Sequence, residues 1–161
     1  MTPRVRKIVF EDNLSMAKII RTVMPAFGAG GKGFAIHDAE VDEMYNAYLP
    51  PGSAYFVCEE EGKILGGGGV APLEGGADNI CELKKMYFLE EGRGKGLGQK
   101  VLSACLAVAR EMGFEYCYLE TFNTMKHAMK LYEKNGFEKI DGPLGNTGHF
   151  ECDTFYKLRI V

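Results

Sequence analysis

Glycine recurs at every second position from Gly92 to Gly98 in the stretch Glu91-Gly92-Arg93-Gly94-Lys95-Gly96-Leu97-Gly98-Gln99. Nothing else in the chain narrows its fold and chemistry as much. The stretch follows an apolar, strand-like run over residues 80–89. It opens a helical pattern over 97–112, with apolar residues at 97, 101, 104, 105, 108 and 112 and Gly113 as the stop. Without a Cβ the backbone can approach a ligand closely. The free N–H groups of a first helical turn point into the same space, and the helix dipole adds partial positive charge. With Arg93 and Lys95 between the glycines, the turn reads as a cradle for a phosphate or pyrophosphate rather than a plain connection.

Two familiar phosphate loops are excluded. A Walker loop needs Ser or Thr after its Gly-Lys pair, and Gly96 follows Lys95. Gly28-Ala29-Gly30-Gly31-Lys32-Gly33 fits GxGxxG literally, but it follows a helical pattern instead of a strand. Gly66-Gly67-Gly68-Gly69 lies inside a strand-like run with no helix after it. Neither has the context of a dinucleotide fold.

The rest of the pattern alternates strands and helices. Residues 5–10 read as a strand. A helix follows, capped by Asn13 or Ser15, with an apolar stripe of Leu14, Ala17, Ile20, Val23 and Met24 and Pro25 beyond its end. Asp38 opens a short helix to about Tyr48, before Pro50-Pro51. Strands are predicted over 54–59, 63–72, 80–89 and 116–122, a helix over 124–135, and two closing strands over 138–141 and 150–160. The strand–helix–strand unit in the middle implies locally parallel pairing. At 161 residues, one domain spanning 1–161 is expected.

Composition removes several classes. A net charge of −3 with scattered Lys and Arg gives no nucleic-acid footprint. No apolar run reaches membrane-spanning length, and no apolar segment of a secretion signal follows the basic residues near the start. The five cysteines, at 58, 81, 105, 117 and 152, form no CxxC pair, so buried free thiols in a reducing cytoplasm are expected and no metal site.

Arg93-x-x-Gly96-x-Gly98 at a strand-to-helix junction resembles the pyrophosphate signature of the GNAT superfamily of N-acetyltransferases. Leu131-Tyr132-Glu133-Lys134-Asn135-Gly136-Phe137 resembles that family's second signature, in the expected order and at the expected distance. The element order matches over nearly the whole chain. Many members have Pro where Glu90 stands here. The resemblance implies an α/β fold: a mixed, largely antiparallel central sheet of about seven strands with about four helices on both faces.

It also implies acetyl-CoA as cosubstrate and transfer of its acetyl group to an amine. The diphosphate is expected on the amides of Arg93, Gly94, Lys95, Gly96, Leu97 and Gly98. The pantetheine arm is expected along Met86, Tyr87 and Phe88, as an added strand would lie, with an amide near Phe88 polarising the thioester carbonyl. Asn123 either caps the following helix or bonds the pantetheine arm. Tyr132 reads from periodicity as a core tyrosine, and from the resemblance as the group that protonates or hydrogen-bonds the leaving sulfur. Glu82 is either a strand-end carboxylate paired with a lysine such as Lys84 or the general base, on one strand face with 84, 86 and 88. His37, Asp38 and His149 are candidates for the acceptor pocket, with Asp38 alternatively an ordinary helix cap and His149 a solvated loop residue. His127 is expected at the surface.

The acceptor stays open among amino acids, polyamines, aminoglycosides and protein N-termini, with a small molecule such as an amino acid or polyamine favoured. A homodimer is left open as well. A non-catalytic acyl-CoA sensor and a nucleotide-binding protein are the competing readings.

Overall fold

The computed structural model describes residues 2–31 and 35–161, so Lys32 and Gly33 of the first glycine-rich segment lie outside the described residues. Among the described residues seven strands form one sheet: β1 (Arg4–Lys7), β2 (Ala54–Glu60), β3 (Lys63–Pro72), β4 (Ile80–Phe88), β5 (Tyr116–Thr121), β6 (Glu138–Ile140) and β7 (Thr154–Arg159). Their order is β1-β2-β3-β4-β5-β7-β6, and every neighbouring pair is antiparallel except β4–β5. The helices are α1 (Asn13–Ala26), α2 (Met44–Ala47), α3 (Leu97–Glu111) and α4 (Lys126–Lys134).

Two apolar cores lie on the two faces of the sheet. One gathers α3 and α4 against Cys81, Leu83, Met86 and Phe88; the other gathers α1 and α2 against Tyr55, Val57 and Tyr87. Along α3, Leu97, Val101, Leu102, Cys105, Leu106, Val108 and Ala109 are buried. At roughly 1.5–3 kcal/mol for each large aliphatic side chain, this stripe is enough to fix the helix on the sheet. Cys58, Cys81, Cys105 and Cys117 are buried and Cys152 is partly exposed; all are free thiols.

The sequence reading needs local correction. In α1, Leu14 is 76% exposed, and the buried stripe is Met16, Ala17, Ile19, Ile20, Val23 and Met24. Pro25 lies in the last turn of α1 rather than after it; it has no N–H to give the carbonyl four residues back, and the helix ends one residue later. The segment 38–48 is a 3-10 turn at Ala39–Asp42 followed by the single turn of α2. The first strand ends at Lys7, because Phe10–Asp12 form a 3-10 turn whose Asp12 is ion-paired to Arg6. The last strand starts at Thr154, since the preceding loop is drawn toward β5 instead.

The four glycines of β3 have a packing cause. A Cβ on Gly66 would stand 2.4 Å from the Tyr87 carbonyl, one on Gly68 2.4 Å from the Met86 sulfur, and one on Gly69 2.5 Å from the Tyr55 ring. The stripe lets Tyr55 cross one face while Met86 and Phe88 cross the other.

Candidate active site

β4 and β5 pair over only three positions, Ile80–Glu82 against Tyr116–Tyr118. Past Glu82, β4 stays on β3 and β5 stays on β7, so the two strands part. The opening is a cleft of about 480 Å³ bounded by the 92–99 turn, by Met86, Tyr87 and Phe88, and by Leu131 and Tyr132 of α4. The edge of β4 beyond Glu82 is thus free to accept a strand-like ligand.

A bulge in β4 aims the residues around the parting. Gly67 faces Tyr87 and Gly69 faces Lys84, so Lys85 and Met86 together stand opposite Gly68. Lys85 takes φ of 53°, a left-handed value rare outside glycine. The bulge reverses the alternation. Leu83, Met86 and Phe88 pack in the α3 core, Tyr87 packs toward α1, and Lys84 reaches Glu40 at 3.0 Å on that second face. Glu82 and Lys84 therefore do not share a face with Met86 and Phe88, contrary to simple alternation.

The glycine turn has the predicted form. Gly94 and Gly96 hold φ of 79° and 73°, and Gly96 is the N-cap of α3. A Cβ at either would meet open space. The Arg93 guanidinium donates to the Phe88 carbonyl at 3.1 Å and lies 5.1 Å from the Phe27 ring, so β4, α1 and the turn are joined. Arg93, Gly94, Gly96, Leu97 and Gly98 line the cleft. The Lys95 side chain instead pairs with Glu60 at 2.9 Å and does not line the cleft.

A second space of about 40 Å³ adjoins the cleft, and Met86, Tyr87, Met125 and Tyr132 line both. Its polar wall is a chain of ion pairs from four segments. Lys85, with a side chain 1% exposed, lies 2.6 Å from Asp38. The Nε2 of His149 lies 2.7 Å from the same Asp38 oxygen, and its Nδ1 is 3.6 Å from Glu120. Tyr118 and Thr147 both donate to Glu120. Burial would lower the His149 pKa, but the hydrogen bonds to Asp38 and Glu120 outweigh it and push it up to about 9. The ring is thus an imidazolium at neutral pH. Burial raises Glu120 while hydrogen bonds from His149, Thr147 and Tyr118 hold it below the ordinary carboxylate value.

Glu82 differs from its neighbours. It is 5% exposed, its backbone is paired with β3 and β5, and its side chain makes no hydrogen bond to another side chain among the described residues. Burial pushes its pKa up to about 7, against the opposing pull of Lys84 and with help from the Glu120 charge. A carboxylate in that range can take a proton near neutral pH. Donor atoms of Glu82, Glu120 and His149 lie within 4.8 Å of one another. That spacing is one at which the three side chains could hold a metal ion.

The structure gathers most of the expected residues. Glu82, Met86, Tyr87, Tyr132 and His149 line the smaller space, with Asp38 behind His149. Asp38 begins a 3-10 turn but makes no capping bond; its carboxylate serves Lys85 and His149. Glu82 is not paired with Lys84, which is held by Glu40. Tyr132 is buried against Phe137 and Tyr156, and burial, foremost, raises its pKa.

Two candidates stand apart. His37 is exposed and bonds the Gly30 carbonyl. Asn123 is exposed and lines neither space; α4 begins after Met125, so it does not cap that helix either. His127 is exposed, as expected, at the rim of the cleft. Sequence reasoning missed Glu120 and Lys85. An acidic residue in the otherwise apolar run Tyr116–Thr121 was the available signal for Glu120, whereas nothing local marks Lys85.

Comparison with known proteins bears on the family and the fold. Residues 17–137 match the model of the acetyltransferase (GNAT) family. The chain is 48% identical over 153 residues to an uncharacterized N-acetyltransferase, YjgM, of Escherichia coli K12, covering 94% of this chain and 92% of that protein. An acetyltransferase of the GNAT family from Staphylococcus aureus Mu50 superposes with a TM-score of 0.86 at 20% identity, over 99% of this chain and 100% of that one. The yncA protein of Salmonella typhimurium, solved with its cofactor acetyl-CoA, superposes with a TM-score of 0.77 at 19% identity, over 100% of this chain and 95% of that one. Among the described residues no helix is long and apolar enough to cross a membrane.

Proposed function

The chain belongs to the GNAT acetyltransferase family, and from that premise we propose that it moves the acetyl group of acetyl-CoA to a primary amine, with Glu82 as base and Tyr132 as hydrogen-bond donor to the leaving sulfur. The observation that carries this reading is the continuity of the two spaces. The cleft runs from the glycine turn to Tyr132, and the smaller space holding Glu82 opens on the same Met86, Tyr87 and Tyr132.

The coenzyme A diphosphate sits on the amides from Arg93 to Gly98, where the α3 dipole and the Arg93 charge favour an anion. The pantetheine arm adds to the open edge of β4 past the bulge. An alkyl ammonium cannot attack a thioester until it loses a proton. At pH 7 that loss costs about 4.6 kcal/mol for an amine of pKa about 10.4, and about 1.4 kcal/mol for an α-amine of pKa about 8. Glu82 accepts this proton, and the neutral nitrogen then attacks the carbonyl carbon. The tetrahedral intermediate collapses with cleavage of the carbon–sulfur bond; Tyr132, kept as a neutral phenol by burial, hydrogen-bonds the departing thiolate, and the surplus proton on the newly bonded nitrogen passes to that sulfur, giving the neutral amide and the free thiol. The acceptor is a small amine such as an amino acid or polyamine, in keeping with the modest room beside Glu82.

The test is a screen of primary amines with detection of the coenzyme A thiol released. Transfer predicts amine-dependent thiol release and an acetylated amine by mass spectrometry. Coenzyme A binding without turnover on any amine would contradict it.

A further inference from the structure

Resting on the reading of Glu82 as base, we propose that His149 is a positioning residue for the reaction: its ring, held between Asp38 and Glu120, draws the 141–153 loop over Glu82 and adds to the positive charge that the Glu82 carboxylate faces.

The loop between β6 and β7 has no regular structure of its own. Its hold on the sheet comes from the Leu144 amide on the Tyr118 hydroxyl at 3.1 Å, the Asn146 amide on the Glu74 carbonyl at 2.7 Å, and Thr147 on Glu120. His149 is the loop's charged contact with the site. Its side chain is 9% exposed, it reaches Asp38 at 2.7 Å, and it lies near Glu120 at 3.6 Å. Asp38 in turn bonds Lys85 at the β4 bulge. One ring thus ties the loop, the segment before α2 and the two parted strands into one wall around Glu82. A neutral ring could satisfy Asp38 by one N–H but would leave Glu82 and Glu120 facing each other with less compensation.

The groups that face Glu82 are Lys84, Lys85 and Tyr87 from β4; Cys117, Tyr118 and Glu120 from β5; Tyr48 after α2; and His149 and Cys152 from the loop. Lys84 and Lys85 are paired with Glu40 and Asp38, yet Lys84 still exerts the largest pull toward the charged form of Glu82, with His149 next and Lys85 after it. Glu120 repels a charge on Glu82, and the tyrosines and thiols are neutral near pH 7. Removing the His149 charge therefore leaves Glu82 harder to ionise.

The test follows the glutamate side-chain carboxyl carbons by NMR during a pH titration of the wild-type protein and of His149→Gln. The Glu82 signal is assigned by its loss in Glu82→Gln. The expected result is a Glu82 midpoint raised by about half a unit or more in His149→Gln. An unmoved midpoint overturns the proposal while leaving Glu82 as base untouched. Should His149→Gln not fold, nitrogen-detected spectra of the wild-type ring decide. A doubly protonated His149 ring at pH 7.5 is expected, and a neutral ring overturns the proposal. Where a working acceptor is in hand, the acidic limb of kcat/KM should move with the Glu82 midpoint. A midpoint that moves while the rate profile stays fixed supports the hold of His149 on Glu82 and counts against Glu82 as base.

Discussion

The Lys85 ammonium, almost wholly buried, lies 2.6 Å from the Asp38 carboxylate. This pair joins a strained backbone position to the wall of the site, because Lys85 holds φ of 53° at the bulge that separates Glu82 from Met86 and Phe88. The bulge is what allows one strand to present the Glu82 carboxyl to the smaller space and the apolar Met86 and Phe88 to the cleft.

Asp38→Asn should expose the value of that pair. It leaves a buried ammonium with Glu40 at 3.8 Å as its remaining carboxylate. Fully buried pairs cost about 3–5 kcal/mol to break. Asp38 is a quarter exposed, so about 2 kcal/mol is expected, a fall of roughly 4–8 °C in the thermal midpoint for a chain of this size. Calorimetry reads it directly. An unchanged midpoint would mean that Lys85 is satisfied without Asp38.

Two substitutions at Gly96 separate charge from backbone strain. Gly96 has a left-handed φ of 73° and open space where a Cβ would go. Asn and Asp both tolerate that conformation. Gly96→Asn should retain most coenzyme A affinity, while Gly96→Asp should lose tenfold or more through repulsion of the diphosphate. Calorimetric titration checks both. Equal affinities would move the diphosphate away from this turn.

Tyr132→Phe preserves the contacts with Phe137 and Tyr156 and removes the hydroxyl. Turnover should fall about tenfold or more with little change in thermal midpoint. Turnover close to wild type would leave Tyr132 as a packing residue.

Stability should decline as pH rises, for two groups of the same sign. Burial raises Glu82 to about 7 in the folded chain, so folding binds its proton more tightly and the advantage is lost between about pH 4.5 and 7. His149 is lowered by burial but raised more by its hydrogen bonds to Asp38 and Glu120, to about 9. Its contribution is complete below its unfolded value of about 6.5 and lost as pH climbs through 9. Urea unfolding at pH 6.5 and pH 9 should show a smaller difference for His149→Gln than for wild type. An equal difference would mean that His149 keeps an ordinary pKa.

The glycine turn and the cleft beside it were legible in the sequence because their determinants are local. Alternating glycines between a strand and a helix, with Arg93 among them, specify a turn whose form is set by its own backbone. Leu131 to Phe137 likewise sits on one helix and its exit. The acceptor half was not legible, since its contacts join residues far apart in the chain: His149 meets Asp38 across 111 positions. Glu82 was chosen for an alternation that the bulge breaks. Nothing in Glu82-Leu83-Lys84-Lys85-Met86 announces that Lys85 will turn left-handed. The cause lies on the next strand, where Gly68 has no side chain to oppose Met86. Asn123 does not cap α4, because the backbone at that junction starts the helix after Met125.

The pH–rate profile of acetyl transfer in wild type and Glu82→Gln, measured with an amine found in the screen, tests the role of Glu82 most directly. With Glu82 as base, wild-type kcat/KM rises through about pH 7, where its carboxylate ionises. Glu82→Gln keeps coenzyme A affinity, loses turnover most at neutral pH, and recovers part of it as the amine itself deprotonates. That recovery should be greater for an amine of pKa about 10.4 than for an α-amine, whose deprotonation at pH 7 costs about 3 kcal/mol less. A variant that matches wild type in kcat and KM across the pH range would contradict the assignment and leave Glu82 a buried structural carboxyl.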